Sequence, residues 1–226
     1  MKLELSKFEI NAENLKARPR QKVFLDCGTQ NQQGLNAFIK KLGIDESWIV
    51  HSFEANPYTY AKQIDKRIPW VNYHNVAVAW YDGETSINCE MDGDWAMGGS
   101  SSIIPLDHWR TEKRYGGRRP TYLEEKVEAI NLSGFIKEMC NSGEWGSPEI
   151  YIKMDIEGAE VAVLSKLIED GVVQTVIKRK DGPCLLIEKL YVEFHFDLLV
   201  GIDASTETQR IIQYFFQHKD QLDIWW

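Results

Sequence analysis

Short apolar runs alternate with amphipathic stretches along most of the chain. Residues 23–25 form one apolar run whose length and side chains favour a buried strand. Leu35, Phe38, Ile39 and Leu42 then recur at the spacing of one helix face, which predicts a helix. The same patterns predict strands at 48–53, 70–79, 85–91, 149–155, 189–196 and 222–226, and helices at 58–66, 132–140, 159–170 and 206–218. Strands alternating with helices indicate an α/β fold, with a mostly parallel, Rossmann-like sheet covered by helices on both faces.

Three polar stretches interrupt this alternation. Asp82-Gly83 is a hairpin signal, so the strand that follows it is predicted to be an antiparallel edge. Residues 178–182 are expected to form a solvated connector. Residues 92–124 have the length and composition of a lid, a binding loop or a disordered loop. We predict a single domain over 1–226, with a lead-in segment at 1–20 and a lid-like insertion at about 92–124.

Composition narrows the class of protein. The 226 residues are 43% hydrophobic, which is enough for one sizeable core. The formal net charge of −8 argues against a nucleic-acid partner attracted by a global positive field. The four cysteines form no Cys-x-x-Cys, which indicates reduced thiols in the cytoplasm and neither a zinc site nor a disulfide framework. No stretch approaches the roughly 18 apolar residues of a membrane span, and the first residues show no apolar signal segment.

A glycine turn lies between the first predicted strand and the first helix. Asp26 and Gly28 end the strand, and Gly34 precedes the helix, so a ligand could approach the backbone closely here. Glu54 closes the second strand 20 residues after Gly34 (54 − 34), where Rossmann-like folds bind ribose hydroxyls. Gly-x-Gly-x-x-Gly is absent, which argues against a nicotinamide dinucleotide. The alternative is an ordinary βα turn that binds no ligand.

Charged residues cluster at two later strand ends. Lys153, Asp155 and Glu157 alternate with apolar residues, and Glu193 and His195 repeat the pattern on the next strand. Charges in a buried strand are costly unless they are paired or functional. Their convergence predicts an acid–base site, and an Asp, Glu and His set could equally hold a divalent metal. The structural alternative is an ion pair between Lys153 and Glu157.

The insertion carries a concentration of positive charge. Five basic residues and one acidic residue lie between positions 110 and 119 of an otherwise acidic chain. Arg114, Arg118 and Arg119 are the proposed acceptor-binding residues, because guanidinium groups bind phosphate or carboxylate in a bidentate manner. The alternative is a solvated loop.

Six segments occur in an order that resembles the FkbM family of S-adenosylmethionine (SAM) methyltransferases, at 24–28, 51–57, 75–83, 99–102, 152–160 and 191–195. The element Lys-x-Asp-x-Glu-Gly-x-Glu at 153–160 is the most distinctive. The resemblance implies a class I methyltransferase fold with a seven-stranded type of sheet and SAM as cofactor. The cofactor-binding set that it implies is Asp26, Gly28, Thr29, Asn31, Glu54, Ala55, Asn75, Ala77 and Asp155. This chain departs from the family pattern at 31–34, where the second glycine comes later.

The resemblance also implies O-methylation of hydroxyls on sugars or natural products, and the basic insertion favours a phosphorylated or nucleotide-linked sugar or an acidic glycan as the acceptor. His195 is the favoured base because an unperturbed imidazole titrates near neutral pH. Asp155 is the second choice and could instead orient the acceptor or bind a metal. Lys153 and Glu157 complete the catalytic set, and Glu193 is assigned to the acceptor. The alternatives are a non-catalytic binding module with the same fold and a nicotinamide-dependent oxidoreductase.

Overall fold

The computed structural model describes residues 20–92, 95–96, 101–104, 121–179, 182–195, 204–217 and 221–224. The strands are β1 (Arg20–Cys27), β2 (Ile49–Phe53), β3 (Val71–His74), β4 (Ala77–Ala79), β5 (Gly83–Asp92), β6 (Trp95–Ala96), β7 (Thr121–Asn131), β8 (Ser147–Met154), β9 (Val176–Arg179), β10 (Gly182–Leu185), β11 (Ile187–Val192) and β12 (Leu222–Ile224). The helices are α1 (Gln33–Leu42), α2 (Pro57–Lys62), α3 (Leu132–Ser142), α4 (Glu160–Glu169) and α5 (Ala204–Gln217), with a 3₁₀ turn at Ile64–Lys66. None of these helices is both long enough and apolar enough to cross a bilayer.

The main sheet has the order β12-β11-β8-β1-β2-β3, and every neighbouring pair is parallel. Cys27 pairs with Phe53 on one side and with Met154 on the other, and Met154 pairs with Val192. Four strands therefore reach their carboxyl ends in register. The residues that follow these four strands must meet at one edge of the sheet, which is where open α/β sheets bind ligands.

Alternation along β1 supplies both faces of the core. Val23 and Leu25 pack with α3 and α4 on one face, and Phe24 packs with α1 on the other. Helix α1 presents Leu35 and Phe38 to this second face, as the spacing of its apolar residues predicts. A central parallel strand that is buried on both faces has a continuous apolar sequence, which is why residues 23–25 predicted a buried strand.

The strands between β3 and β8 in the chain form a second sheet, with the order β4-β7-β5-β6. Ala129 of β7 pairs with Ala77 of β4 in parallel and with Gly83 of β5 in antiparallel fashion. The hairpin predicted at Asp82-Gly83 is therefore wrong, because β7 lies between the two strands that this turn connects. The prediction of an antiparallel edge is confirmed by the pairing of β5 with β7.

The remaining differences from the predictions concern one strand, one connector and the number of strands in the main sheet. The single strand predicted at 70–79 is divided into β3 and β4, which belong to different sheets. The connector predicted at 178–182 is wrong, because its described residues belong to the antiparallel pair β9 and β10. The described main sheet has six strands instead of seven. The lead-in at 1–19 and the basic part of the insertion at 105–120 lie outside the described residues, and the single-domain organisation stays a prediction.

Candidate active site

Backbone hydrogen bonds tie the loops after the aligned strands together. The Gly28 amide donates to the Phe53 carbonyl at 3.0 Å, and the Asp155 amide donates to the Cys27 carbonyl at 3.1 Å. The Glu193 amide extends the same pattern by donating to the Met154 carbonyl at 2.9 Å. These bonds join the ends of β1, β2, β8 and β11, so the predicted site residues at four strand ends are brought together.

Gly28 permits the close approach of two of these loops. Its φ is +83°, and a Cβ atom at this position would lie 1.8 Å from the backbone oxygen of Asp155. No side chain can be accommodated there, because the obstructing atom is backbone and the φ value is one that other residues rarely adopt.

A buried ammonium group lies beneath the glycine turn. Lys153 Nζ lies 3.5 Å from Asp26 Oδ1 and 3.2 Å from Asp155 Oδ2, and it donates to the Gly28 carbonyl. Burial disfavours the charged ammonium, but the two carboxylates outweigh burial and raise the pKa of Lys153. Gly34 provides room for this side chain, since a Cβ there would lie 3.2 Å from Lys153 Cε. Asp26 is fully buried and lies outside the linings of the two cavities that open at this edge of the sheet, so it supports the turn from below.

Glu54 lies at the end of β2 and closes the other side of the turn. Its two carboxylate oxygens accept hydrogen bonds from the Gln30 amide at 2.7 Å and the Asn56 amide at 2.8 Å. Burial raises the pKa of Glu54 to about 7, although both hydrogen bonds oppose that rise. The side chain thus links the turn after β1 to the start of α2.

Two cavities meet at these loops. A narrow cleft has mostly apolar walls that include Phe53, Ala55, Ala77 and Ile103, with Glu54 at its side. A wider chamber of about 450 Å³ falls within the range of ligand-binding pockets. The chamber is lined by Gly28, Thr29, Gln30, Gln33, Gly34, Ala37, Lys153, Asp155, Glu157, Glu193 and His195. The residues that line both cavities are Gly28, Gln30, Asp155 and Glu157, so the cavities are adjacent.

His195 is surrounded by carboxylates at the floor of the chamber. Its Nδ1 atom lies 3.0 Å from Glu160 Oε1, within hydrogen-bonding distance. Its Nε2 atom lies 3.7 Å from Asp155 Oδ1, 3.6 Å from Glu157 Oε2 and 3.7 Å from Glu193 Oε1. Burial disfavours the imidazolium, but the hydrogen bond to Glu160 and the other carboxylates outweigh burial and raise the pKa of His195 to about 9. The sequence argument that His195 titrates near neutral pH is therefore corrected: without a ligand it is mainly protonated at pH 7.

Glu160 is the residue that sequence reasoning missed. It is 1% exposed and lies in the first turn of α4, where it accepts hydrogen bonds from the amides of Ile156 at 3.0 Å and Gly158 at 3.0 Å. A carboxylate is favourable at a helix N-terminus, and here it also orients the imidazole. The available signal was its place as the last residue of the 153–160 element.

Ser102 was missed as well. Its hydroxyl donates to the backbone carbonyl of Glu157, which has a left-handed φ of +53°. Ser102 lies between β6 and β7 in the chain and pairs with Asn88 of β5 through a β-bridge. The second sheet is thus anchored to the loop that carries Glu157.

The other predicted residues divide between the cavities and their surroundings. Thr29 lines the chamber, and Ala55 and Ala77 line the cleft. Asn31 is exposed and caps its own turn, with Oδ1 accepting from the Gln33 amide at 3.1 Å. Asn75 donates to the Glu54 carbonyl at 2.8 Å and therefore supports the wall of the cleft. Positions 114, 118 and 119 lie outside the described residues.

Comparison with known proteins agrees with this geometry. A family model described as "Methyltransferase FkbM domain" matches residues 26–222, which include every residue of the two cavities. Neither the curated proteins nor the solved structures contain a match to this chain.

Proposed function

Because the chain belongs to the FkbM methyltransferase family, we propose that it transfers the methyl group of SAM to a hydroxyl oxygen of a sugar, a glycan or a related small metabolite. The observation that carries the proposal is the meeting of a cleft and a chamber at Asp155 and Glu157. A transfer enzyme must bring a donor and an acceptor together at one point, and alignment of the two supplies much of the rate enhancement.

The residues of the cleft fit the nucleoside part of SAM. Each carboxylate oxygen has two lone pairs, so Glu54 can accept a ribose hydroxyl on each oxygen in addition to its backbone partner. Ala55 and Ala77 offer apolar surface for the adenine ring. The cleft has a volume of about 40 Å³, enough for only a few waters, so in this proposal its lining, which includes Ser101 and Ile103, moves apart when SAM binds.

The junction fits the reacting part of the cofactor. When bound, SAM supplies a methyl carbon whose bond to the sulfonium sulfur breaks as the acceptor oxygen bonds to it. Asp155 and Glu157 favour a cationic group at the junction, which Gly28 and Gln30 also line. In this proposal, the cluster formed by Asp155, Glu157 and His195 orients the acceptor hydroxyl, and a carboxylate of the cluster, or His195 in its neutral form, receives the hydroxyl proton.

The charges that line the chamber indicate which kind of acceptor it can bind. Asp155, Glu157 and Glu193 face it, whereas Lys153, the ammonium that lines it among the described residues, is already shared with Asp26. We propose that the reacting part of the acceptor is an uncharged polyhydroxyl group, because an anion beside three carboxylates would be repelled. Arg114, Arg118 and Arg119 stay the proposed partners of any anionic part of the acceptor.

The test is calorimetry with S-adenosylhomocysteine (SAH) together with a methyl-transfer screen over sugars, glycans and nucleotide sugars. We expect His195→Ala and Asp155→Asn to lose most turnover while they still bind SAH. Hydrogen exchange at 101–104 should change when SAH binds. Absence of SAH binding at millimolar concentration would exclude the proposal, and binding without transfer to any acceptor would favour a non-catalytic module.

A further inference from the structure

The imidazole of His195 is held so that one nitrogen is directed at a cluster of oxygen atoms. Its side chain is 6% exposed, and Nδ1 is occupied by Glu160. Among the described residues, Nε2 has no hydrogen-bond partner, because its nearest carboxylate oxygens are 3.6 to 3.7 Å away. His195 lines the chamber, so this nitrogen is available to a ligand that the chamber would hold.

The spacing of the surrounding atoms matches a metal site. One atom each from Asp155, Glu157 and His195 lie within 4.8 Å of one another. Two ligands bound at about 2.1 Å to one divalent ion lie roughly 3.0 to 4.2 Å apart, so a small inward movement would complete the site. A direct hydrogen bond would instead have brought one of the carboxylates to about 2.8 Å from Nε2.

The neighbouring groups separate ligands from supports. Lys153 holds Asp155 Oδ2 at 3.2 Å, which leaves Oδ1 directed at the imidazole. Both oxygens of Glu160 are engaged by backbone amides, and Oε1 also contacts His195, so Glu160 orients the ring without joining the cluster. Metal-binding histidines commonly donate their other N–H to a carboxylate in this way.

We propose that Asp155, Glu157 and His195 bind a divalent cation that accepts both oxygen and imidazole ligands, with Glu160 as the positioning residue. The inference deepens the proposed function, since such a cation at the chamber floor would bind the acceptor hydroxyl and lower its pKa. Mn²⁺ fits this donor set and serves as the probe. Glu193, which lies beside Nε2 and is partly exposed, is available as an additional ligand.

The experiment measures metal binding without any methyl transfer. The full chain is treated with a chelator, dialysed and titrated with MnCl₂, and free Mn²⁺ is measured by electron paramagnetic resonance. We expect one Mn²⁺ per chain, loss of this site in His195→Ala and Asp155→Asn, and a roughly 10- to 100-fold weaker site in Glu160→Gln. Glu169→Gln is the matched control, because Glu169 is exposed at the far end of the same helix.

Three outcomes would overturn the inference: a folded parent protein that binds no Mn²⁺ at millimolar concentration, variants that bind Mn²⁺ like the parent, or a Glu169→Gln control that loses as much affinity as Glu160→Gln. Calorimetry with SAH on the same samples separates this result from the proposed function. SAH binding without Mn²⁺ binding would reject only the cation, whereas loss of SAH binding would reject the cofactor assignment. Circular dichroism of each variant excludes misfolding as the cause.

Discussion

Replacing Glu54 by glutamine should weaken SAH binding and should also remove part of its pH dependence. Burial raises the pKa of this carboxyl to about 7, so its charge changes within the range in which the protein can be assayed. A ribose hydroxyl donates more strongly to a carboxylate than to a carboxylic acid or an amide. Affinity in the parent protein should therefore rise as the pH is raised through 7.

The expected loss of SAH affinity follows from the hydrogen bonds and the pKa of Glu54. Hydrogen bonds to a charged acceptor contribute about 1.5 to 3 kcal/mol, so Glu54→Gln should weaken binding roughly 10- to 150-fold at pH 8. At pH 6, one unit below the pKa of about 7, roughly a tenth of the parent molecules carry the ionised form. Parental affinity should therefore be about tenfold lower at pH 6 than its high-pH limit, whereas the variant should lack this component.

The assay is calorimetry with SAH at pH 6, 7 and 8 on the parent, Glu54→Gln and a charge-matched control. Glu84→Gln serves as the control because the Glu84 side chain is 72% exposed on the second sheet. Thermal unfolding of each sample excludes a folding defect, since glutamine leaves one of the two backbone amides without an acceptor oxygen. Unchanged affinity at pH 8, or a variant that retains the parental pH profile, would refute the reasoning.

Three further predictions test the surroundings of the site. Gly28→Ala should lower the melting temperature by several degrees, because its Cβ would lie 1.8 Å from a backbone oxygen; differential scanning fluorimetry measures this. Burial lowers the pKa of His51 to about 4, so the unfolded chain binds a proton at this residue before the folded protein does as the pH falls below about 6.5. Between pH 7 and pH 5, the unfolding free energy of the parent should therefore fall by about 2 kcal/mol relative to that of His51→Phe, as measured by urea titration. The triple replacement of Arg114, Arg118 and Arg119 by glutamine should raise the KM for an anionic acceptor with little change in SAH affinity, whereas unaltered kinetics would favour a solvated loop.

The central part of the fold was predictable because its physical constraints are local. The apolar run of β1 is buried only in a central strand, and the apolar face of α1 is buried only against the sheet. The order of strand and helix in the chain then predicts a parallel sheet. Register then follows from pairing, as Cys27 aligns with both Phe53 and Met154. The rule that ligands bind beyond the carboxyl ends of strands accordingly led to Asp155 and His195 from sequence alone.

The second sheet was not predictable in the same way. Asp82-Gly83 has the composition of a hairpin turn, but β4 and β5 both pair with β7, which begins about forty residues later. A local turn signal reports the conformation of the turn and not which strand lies beside it. The apolar pattern at 70–79 likewise fits one long strand, and the division into β3 and β4 reflects pairing with two different sheets.

The chemistry of the site depended on distances that no sequence pattern contains. Burial opposes the rise, but the pKa of His195 is raised to about 9 because Glu160 lies 3.0 Å from Nδ1 and the carboxylates of Glu157 and Asp155 lie 3.6 and 3.7 Å from Nε2. The sequence places Glu160 thirty-five residues from His195, without any signal that the two groups touch. Residue types therefore indicated that a site exists, whereas the role of each residue became apparent only from their contacts.

The distribution of buried charge explains why these groups occupy different roles. Asp26 and Lys153 lie beneath the turn and compensate each other, so removing either would leave a charge in a buried position, which is strongly destabilising. At the chamber, by contrast, Asp155, Glu157 and Glu193 outnumber the basic side chains that line it within the described part of the chain, which are Lys153 and His195. A compensated pair holds the turn in place, whereas an excess of negative charge beside a cavity favours a bound cation. The same strand ends thus provide a charge-compensated support on one side and, in our proposal, a site that favours a positively charged ligand on the other.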